Sequence, residues 1–399
     1  MQIEFGNSAN YSNIPEHCIG NIDPTQRAWI EVSGSSIENN VRYLKSFLKR
    51  NCKFMAVVKA DGYGHDAKFV SKHAIIGGAD QLGVATLQEG INLRLSGINV
   101  PILVLSNIYS KEDLNTCFQY ELMPTISSLR ECLICNNIGK KYKRKFPIHL
   151  KVDTGMARLG FDINDFLSKL NKIKSCSFIT IDGIYSHLSS ADEDNALDKE
   201  SFTQIQRRRF EELLLKINLD NYSGIKFHLA NSAGTLLGKD FHFDMVRVGL
   251  SMYGYNPIKN KEKEFIFKPA LFLKSKVSFI RTINKNVGVS YGRKFISDRK
   301  TKIAVISIGY ADGISRKLSN LISIIHNGKI YSQVGSITMD QLMIDITDSK
   351  DIKVGSTICL LGSEGEVSIS PLEWADKCSS IPWEILCAFK NRLPRVQIP

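Results

Sequence analysis

Ala56-Val57-Val58-Lys59-Ala60-Asp61-Gly62-Tyr63-Gly64-His65 runs from an apolar segment into a glycine-rich loop through a single lysine. A lysine that closes a buried strand can pack its stem, but its ammonium must be paired, neutralised or used. Two readings stand at this point: an ion-paired lysine at a strand end, or an amine that does chemistry. The segment also opens a rhythm. Strand-length apolar runs rich in Val and Ile recur at 54–59, 81–85, 101–105, 123–126, 148–153, 181–188, 226–231 and 245–249. Stretches with helical period lie between most of them, clearest at 66–77, 86–95, 127–138 and 199–217. Eight strands alternating with helices predict a (β/α)8 barrel of the α/β class. A doubly wound open sheet is the rival, but its early Gly-x-Gly-x-x-Gly turn is absent.

Outward from this rhythm, 27–33 reads as a short strand and 36–49 as a helix, preceded by a loosely ordered leader. After about residue 265 the texture changes. Short strands at 270–280, 302–308, 321–325, 330–334, 341–346 and 356–361 are separated by turns such as Asn327-Gly328, and helix is scarce until 373 and 383–389. The expected organisation is a leader over 1–25, the barrel over 26–262 and a mainly β domain over 263–399.

The chain has 399 residues, 52 Lys and Arg against 40 Asp and Glu, and a net charge of +12. The basic residues form short helical clusters without aromatic interleaving, which argues against nucleic acid. No run approaches the roughly 18 apolar residues of a membrane span, and the polar N-terminus lacks a signal-peptide layout. Nine cysteines without framework spacing, and a lone Cys132-x-x-Cys135, argue against a disulfide scaffold or a zinc site. A cytoplasmic, metal-free enzyme is expected.

Barrel chemistry collects where the strands end. The first strand ends in Lys59, the fifth in Lys151-Val152-Asp153-Thr154-Gly155-Met156-Ala157-Arg158-Leu159-Gly160, the sixth at His187, the seventh at Asn231-Ser232 and the eighth at Arg247-Val248-Gly249. That set is cationic and suits an anion with an electrophilic centre. Each member has a plainer reading: His187 could bond a backbone group, Arg247 could pair with Asp244, and Ser232 could cap a helix. Asp244 and Arg247 are three apart, however, and so face opposite sides of a strand.

Taken together the motifs resemble the alanine racemase family, from Arg27 to Val396. They are the stretch around Lys59, the Lys151–Gly160 loop, His187, His228-Leu229-Ala230-Asn231-Ser232, Val246-Arg247-Val248-Gly249, Val289-Ser290-Tyr291-Gly292, Ile308-Gly309-Tyr310-Ala311-Asp312-Gly313 and Met339-Asp340. The resemblance implies pyridoxal 5'-phosphate as cofactor, a barrel plus β-domain layout, and a head-to-tail homodimer with a shared active site. It implies that Lys59 holds the cofactor as a Schiff base, that Tyr63, Ser232, Gly249 and Leu250 hold its phosphate, and that Asn231 and His187 contribute to the cofactor site. Arg247 would face the pyridine nitrogen, and since arginine accepts no proton that nitrogen would stay unprotonated.

Racemisation removes a proton from one face of Cα and returns one to the other, most simply with two bases. The resemblance assigns these to Lys59, acting on the D-isomer, and Tyr291 of a second subunit, acting on the L-isomer. An ordinary tyrosine needs nearby positive charge to act as a base. Arg158 would bind the substrate carboxylate or the Tyr291 phenol, and Met339 of the second subunit would offer its backbone amide to that carboxylate. Lys151 matches a lysine often carbamylated in the family. Asp192, Tyr310 and Arg316 match residues of the entrance. Ser336 and Asn391 stand where many members carry arginine and some carry tyrosine, so the entrance is expected to be less charged and wider. The implied activity is interconversion of L- and D-alanine for peptidoglycan synthesis. Rivals are a serine or broad-specificity racemase, a decarboxylase of basic amino acids, and a non-catalytic cofactor carrier. Arg247 and the absence of a glycine triplet argue against the decarboxylase. The second domain argues against the carrier.

Overall fold

The structure, a computed structural model, describes residues 26–217, 224–258, 264–389 and 391–399. The expected leader and the expected joint at 262/263 lie outside them. β1 (Ala28–Ser33) is followed by eight strands: β2 (Lys53–Val57), β3 (Gln81–Val84), β4 (Ile102–Asn107), β5 (Met123–Ile126), β6 (Phe146–Lys151), β7 (Ile179–Tyr185), β8 (Lys226–His228) and β9 (Met245–Val248). These eight pair in parallel in the order β8-β7-β6-β5-β4-β3-β2-β9. The ring closes where Asp244 N–H donates to Phe227 O (2.9 Å) and Arg247 N–H donates to Ala230 O (3.0 Å). The strands are buried on both faces because helices cover the outside, which is why they read as near-continuous apolar runs.

The helices start where the sequence supplies caps. Ser33 accepts from Ser36 N–H at the head of Gly34–Ser46, and Thr86 with Glu89 forms a capping box at Leu87–Leu95. Helix Gly34–Ser46 buries Ile37, Val41 and Leu44, one apolar stripe at helical spacing. On its inner face the buried Asn40 donates to Met252 O (3.0 Å) and Lys268 O (2.8 Å) and accepts from Lys268 N–H (2.9 Å). One side chain thereby ties the end of the barrel to the start of the second domain.

Beyond the barrel come β10 (Leu271–Ile283), β11 (Gly288–Val289), β12 (Phe295–Ile296), β13 (Thr301–Ile306), β14 (Ser323–His326), β15 (Lys329–Ser332), β16 (Leu342–Asp345), β17 (Thr357–Glu364), β18 (Val367–Ile369) and β19 (Arg395–Ile398). Two short helices, Pro371–Cys378 and Pro382–Cys387, precede β19. β10 organises this unit. Its first half pairs with β1 and β17 and its second half with β13, with a register shift between Val277 and Phe279.

β1 departs from the expected division. It lies in the stretch assigned to the barrel, yet it pairs antiparallel with β10 and parallel with β19, in the second sheet. All six of its residues are buried. A strand held by partners about 245 and 365 residues away carries no local sign of which sheet it will join. A second departure is small and bears on the site: β2 stops at Val57, two residues short of Lys59.

Candidate active site

Lys59 opens a turn that runs against the usual handedness. Ala60, Asp61, Gly62 and Tyr63 all take left-handed backbone angles, with φ between 51° and 61°. Each non-glycine residue there costs about 1–2 kcal/mol. The surrounding bonds hold the strain in place. Ala60 N–H donates to Glu89 Oε1 (2.7 Å), Gly62 N–H to Val58 O (2.9 Å), and Ala67 N–H to Asp61 Oδ1 (2.9 Å). Glu89 Oε2 also takes the amides of Ala85 (2.7 Å) and Thr86 (3.1 Å), so one carboxylate links this turn to the next strand's exit. The result presents Lys59 half-buried. Among the described residues it has no hydrogen bond or ion pair. Burial, helped by Arg158, lowers its amine from the ordinary lysine value.

The same turn delivers Tyr63 into a small cradle. Its ring sits edge-on against Tyr253 at 4.8 Å, and Tyr253 Oη donates to Val57 O (3.1 Å). A Cβ on Gly249 would lie 2.5 Å from Tyr63 Oη, so only glycine lets the backbone approach here. Gly249 N–H donates to Ser232 Oγ (2.9 Å), and Leu250 begins a buried turn directly after it. Burial raises the Tyr63 phenol, which therefore remains a hydrogen-bond donor. Asn231 is engaged locally: Oδ1 caps helix Ser232–Leu237 through Gly234 N–H (3.0 Å).

Two residues before Gly249, Arg247 is only 3% exposed. Its Nη2 donates to Ser186 O (2.8 Å) and Leu229 O (2.9 Å) and lies 3.0 Å from His187 Nδ1, while Nη1 lies 2.8 Å from His228 Nδ1. Burial lowers its pKa to about 10, which leaves it charged at neutral pH. The alternative pairing with Asp244, disfavoured by the strand's alternation, does not form; Asp244 Oδ2 accepts from Phe227 N–H (2.9 Å) instead. Lys151 ends β6, buried, with its ammonium over the Tyr185 ring at 5.2 Å. Burial and then Arg247 and Arg158 push its pKa down to about 7. Lys59, Lys151 and Arg158 have no carboxylate partner within ion-pair distance among the described residues. Burial and this positive field hold His187 neutral.

The remaining expected residues sit on the second domain. Tyr291, Tyr310 and Met339 line one cavity of about 820 Å³ with Asp340, Gln341 and Arg281, and no barrel residue lines it. Tyr291 is 71% exposed. The Met339 carbonyl takes Ala311 N–H (2.9 Å), and no described bond occupies its amide. Arg316, Asp192 and Asn391 are exposed, and among the described residues no hydrogen bond or ion pair joins Asp192 to Tyr310 or Arg316. Ser336 is not at an entrance. It is fully buried and donates to Tyr291 O (2.7 Å), while Ser290 Oγ donates to Ser336 O (2.7 Å). A serine there braces the Tyr291 loop.

Sequence reasoning missed Glu89, although the Thr86-x-x-Glu89 spacing of a capping box was legible. It also missed His149, Asp182 and Tyr185, which carried no pattern at all.

Fold and site together define a two-domain (β/α)8-barrel protein whose strand ends present a desolvated amine among anion-binding groups. The family described as alanine racemase, N-terminal domain, matches residues 32–257, and alanine racemase, C-terminal domain, matches 270–397. The alanine racemase of Prochlorococcus marinus is 50% identical over 380 residues, 95% of this chain and 98% of its own. That of a Nostoc species is 40% identical, covering 94% and 96%. Among solved structures, Clostridium difficile alanine racemase superposes with a TM-score of 0.85 at 33% identity, covering 94% and 96%. Bartonella henselae alanine racemase, solved with covalently bound pyridoxal phosphate, gives 0.83 at 28%, covering 94% and 100%. The chain belongs to the alanine racemase family.

Proposed function

We propose that this protein is a pyridoxal-phosphate-dependent alanine racemase that interconverts L- and D-alanine and supplies D-alanine for peptidoglycan. The observation that carries the reading is Lys59: a desolvated amine without an acid partner, presented by a strained turn whose next side chain of size, Tyr63, enters a glycine-lined cradle. The residues present fit the cofactor. Gly249 puts no Cβ between its backbone and Tyr63 Oη, Tyr63 offers a phenol donor, and Ser232 and Leu250 complete the wall. Arg247, a donor only, suits an unprotonated ring nitrogen. Pyridoxal phosphate supplies an electron sink that acidifies the Cα proton of an amino acid joined to it. Everything else falls to this chain. Lys59 Nζ holds the cofactor and exchanges a proton on the D-face. Tyr291 Oη of a second copy exchanges one on the L-face. Arg158 and the Met339 amide bind the substrate carboxylate, and Asp192, Tyr310 and Arg316 border the way in.

Tyr291 and Met339 lie on an exposed wall of the second domain that no barrel residue lines, which supports a homodimer with shared sites. No helix among the described residues is long and apolar enough to cross a membrane. Eight described cysteines are free and seven of them are buried, which fits the cytoplasm. The test is a visible spectrum of protein reconstituted with pyridoxal phosphate, paired with racemisation assays on alanine, serine, lysine and arginine. Comparable rates on a longer amino acid would sink the narrow reading.

Two expectations follow from the cradle and from Lys151. Gly249→Ala puts a methyl group against Tyr63 Oη and should weaken pyridoxal phosphate binding by about tenfold, measured by absorbance titration of the apoprotein. Lys151 is proposed to carry a carbamate, which would turn one repelling cation into an anion facing Arg158. Carbamylation needs the neutral amine, and with a pKa of about 7 that form gains as pH rises through 7. Carbon-13 bicarbonate should therefore give a carbamate resonance that grows from pH 6 to pH 8 and is lost in Lys151→Ala. A wild-type spectrum without it would remove the carbamate.

A further inference from the structure

Barrel interiors are ordinarily filled by layers of branched apolar side chains. Along one line this barrel is polar instead. Arg247 Nη1 lies 2.8 Å from His228 Nδ1, His228 Nε2 lies 3.0 Å from His149 Nδ1, and His149 Nε2 lies 3.1 Å from Asp182 Oδ2. Lys226 Nζ donates to Asp182 Oδ1 (2.9 Å) at the far end. Both histidines are fully buried, whereas the Asp182 and Lys226 side chains are about a quarter exposed. Arginine has no acceptor, so His228 Nδ1 must accept. His228 then donates from Nε2 to His149 Nδ1, and His149 donates from Nε2 to Asp182. A cation at one end and a carboxylate at the other leave a single tautomer for each ring.

The surrounding backbone is shaped to seat this column. A Cβ on Gly183 would lie 2.5 Å from His149 Nδ1 and 2.6 Å from its Cε1. The pairing of β6 with β7 shifts register between Ile148 and His149. Tyr185 stacks on His228, centroids 4.6 Å apart at 5°, and shares a 2.7 Å hydrogen bond with Thr125 Oγ1. Buried polar networks contribute little net stability and cost much when half satisfied. A glycine and a register shift spent on one imidazole point to a use beyond packing. Burial, and then the neighbouring Arg247, keeps the His228 ring neutral, and burial keeps His149 neutral too. Burial alone would raise Asp182, but the bonds from His149 and Lys226 hold it at about 2, so the anchor is anionic.

We propose that His149 and Asp182 are positioning residues that act through His228 to fix the Arg247 guanidinium, and with it the donor offered to the cofactor's ring nitrogen. The proposal rests on the cofactor reading above. Without the column, His228 could turn its other tautomer toward Arg247 and meet it donor to donor.

The test compares wild type, His149→Phe and Asp182→Asn, each reconstituted with pyridoxal phosphate. His149→Phe keeps a ring in the seat and removes both hydrogen bonds. Its expected result is retained cofactor, a displaced pH titration of the visible band of the lysine-linked cofactor, and kcat lower by about ten- to a hundredfold with little change in KM for alanine. That is the range seen when a carboxylate that orients a functional histidine is lost. Asp182→Asn should move both readouts the same way by less. A purely structural role would alter thermal stability and leave the titration in place. Variants that titrate and turn over like wild type overturn the proposal. If His149→Phe does not fold, Asp182→Asn, isosteric and partly exposed, decides alone. A wild type with no lysine-linked band overturns the cofactor reading itself, an outcome distinct from unshifted variants.

Discussion

Lys59→Ala is expected to abolish the visible band of the lysine-linked cofactor and to lower racemisation by at least about a thousandfold in both directions. The size follows from the number of duties resting on one amine. Lys59 would anchor the cofactor, exchange partners with the substrate amine and move the proton on one face of Cα. No second lysine can replace it. Lys151 sits over the Tyr185 ring at the end of a different strand. The stability cost should be small, since Lys59 is half-buried and makes no bond that its loss would orphan. Spectrophotometry and a chiral product assay check the expectation, with thermal melting as the control. A variant that kept the band would remove Lys59 from the mechanism.

Tyr291→Phe should keep the band and lose about 10²–10⁴-fold of turnover, the usual worth of a positioned acid–base group. That corresponds to about 3–5 kcal/mol of transition-state stabilisation lost. The loss should be one-sided at the level of proton exchange. In deuterated water the variant should still exchange the Cα hydrogen of D-alanine, through Lys59, while that of L-alanine stays in place. Equal exchange on both isomers would refute the two-base assignment. Mixing Lys59→Ala with Tyr291→Phe tests the shared site. Subunit exchange makes half the dimers mixed, each with one intact site, so about a quarter of wild-type activity should return. Two inactive preparations that stay inactive after exchange would place both bases in one chain.

Much of this was legible in the sequence because the signals are local. Strand-length apolar runs, helical spacing and caps are set by interactions within about a turn of chain, so the eight barrel strands fell where they were expected to within a few residues. Lys59, His187, Ser232, Arg247 and Gly249 could be found because barrel chemistry gathers at strand ends. Other features left no such trace. β1 fell within the residues assigned to the barrel domain because a strand does not encode its partners, and those lie near 275 and 396. Ser336 looked like a missing entrance charge, but it lies beneath Tyr291 and bonds its carbonyl. His149 stood in an ordinary apolar run, with nothing to show that Gly183 opens a seat for it.

The class of fold, the order of its two parts and the side chains able to do chemistry could all be read along the chain. Periodicity and turn chemistry act along the chain, and the amine at Lys59 needs no distant partner to be conspicuous. How those side chains act together depends on the folded arrangement. It set the left-handed turn that presents Lys59, the cradle between Tyr63 and Gly249, and the column that aims Arg247. It also placed Tyr291 on an outer wall, away from the barrel's own lysine. Each of these depends on contacts between residues far apart in the chain, where close packing and the need to satisfy buried polar groups choose one arrangement among many that the local sequence permits.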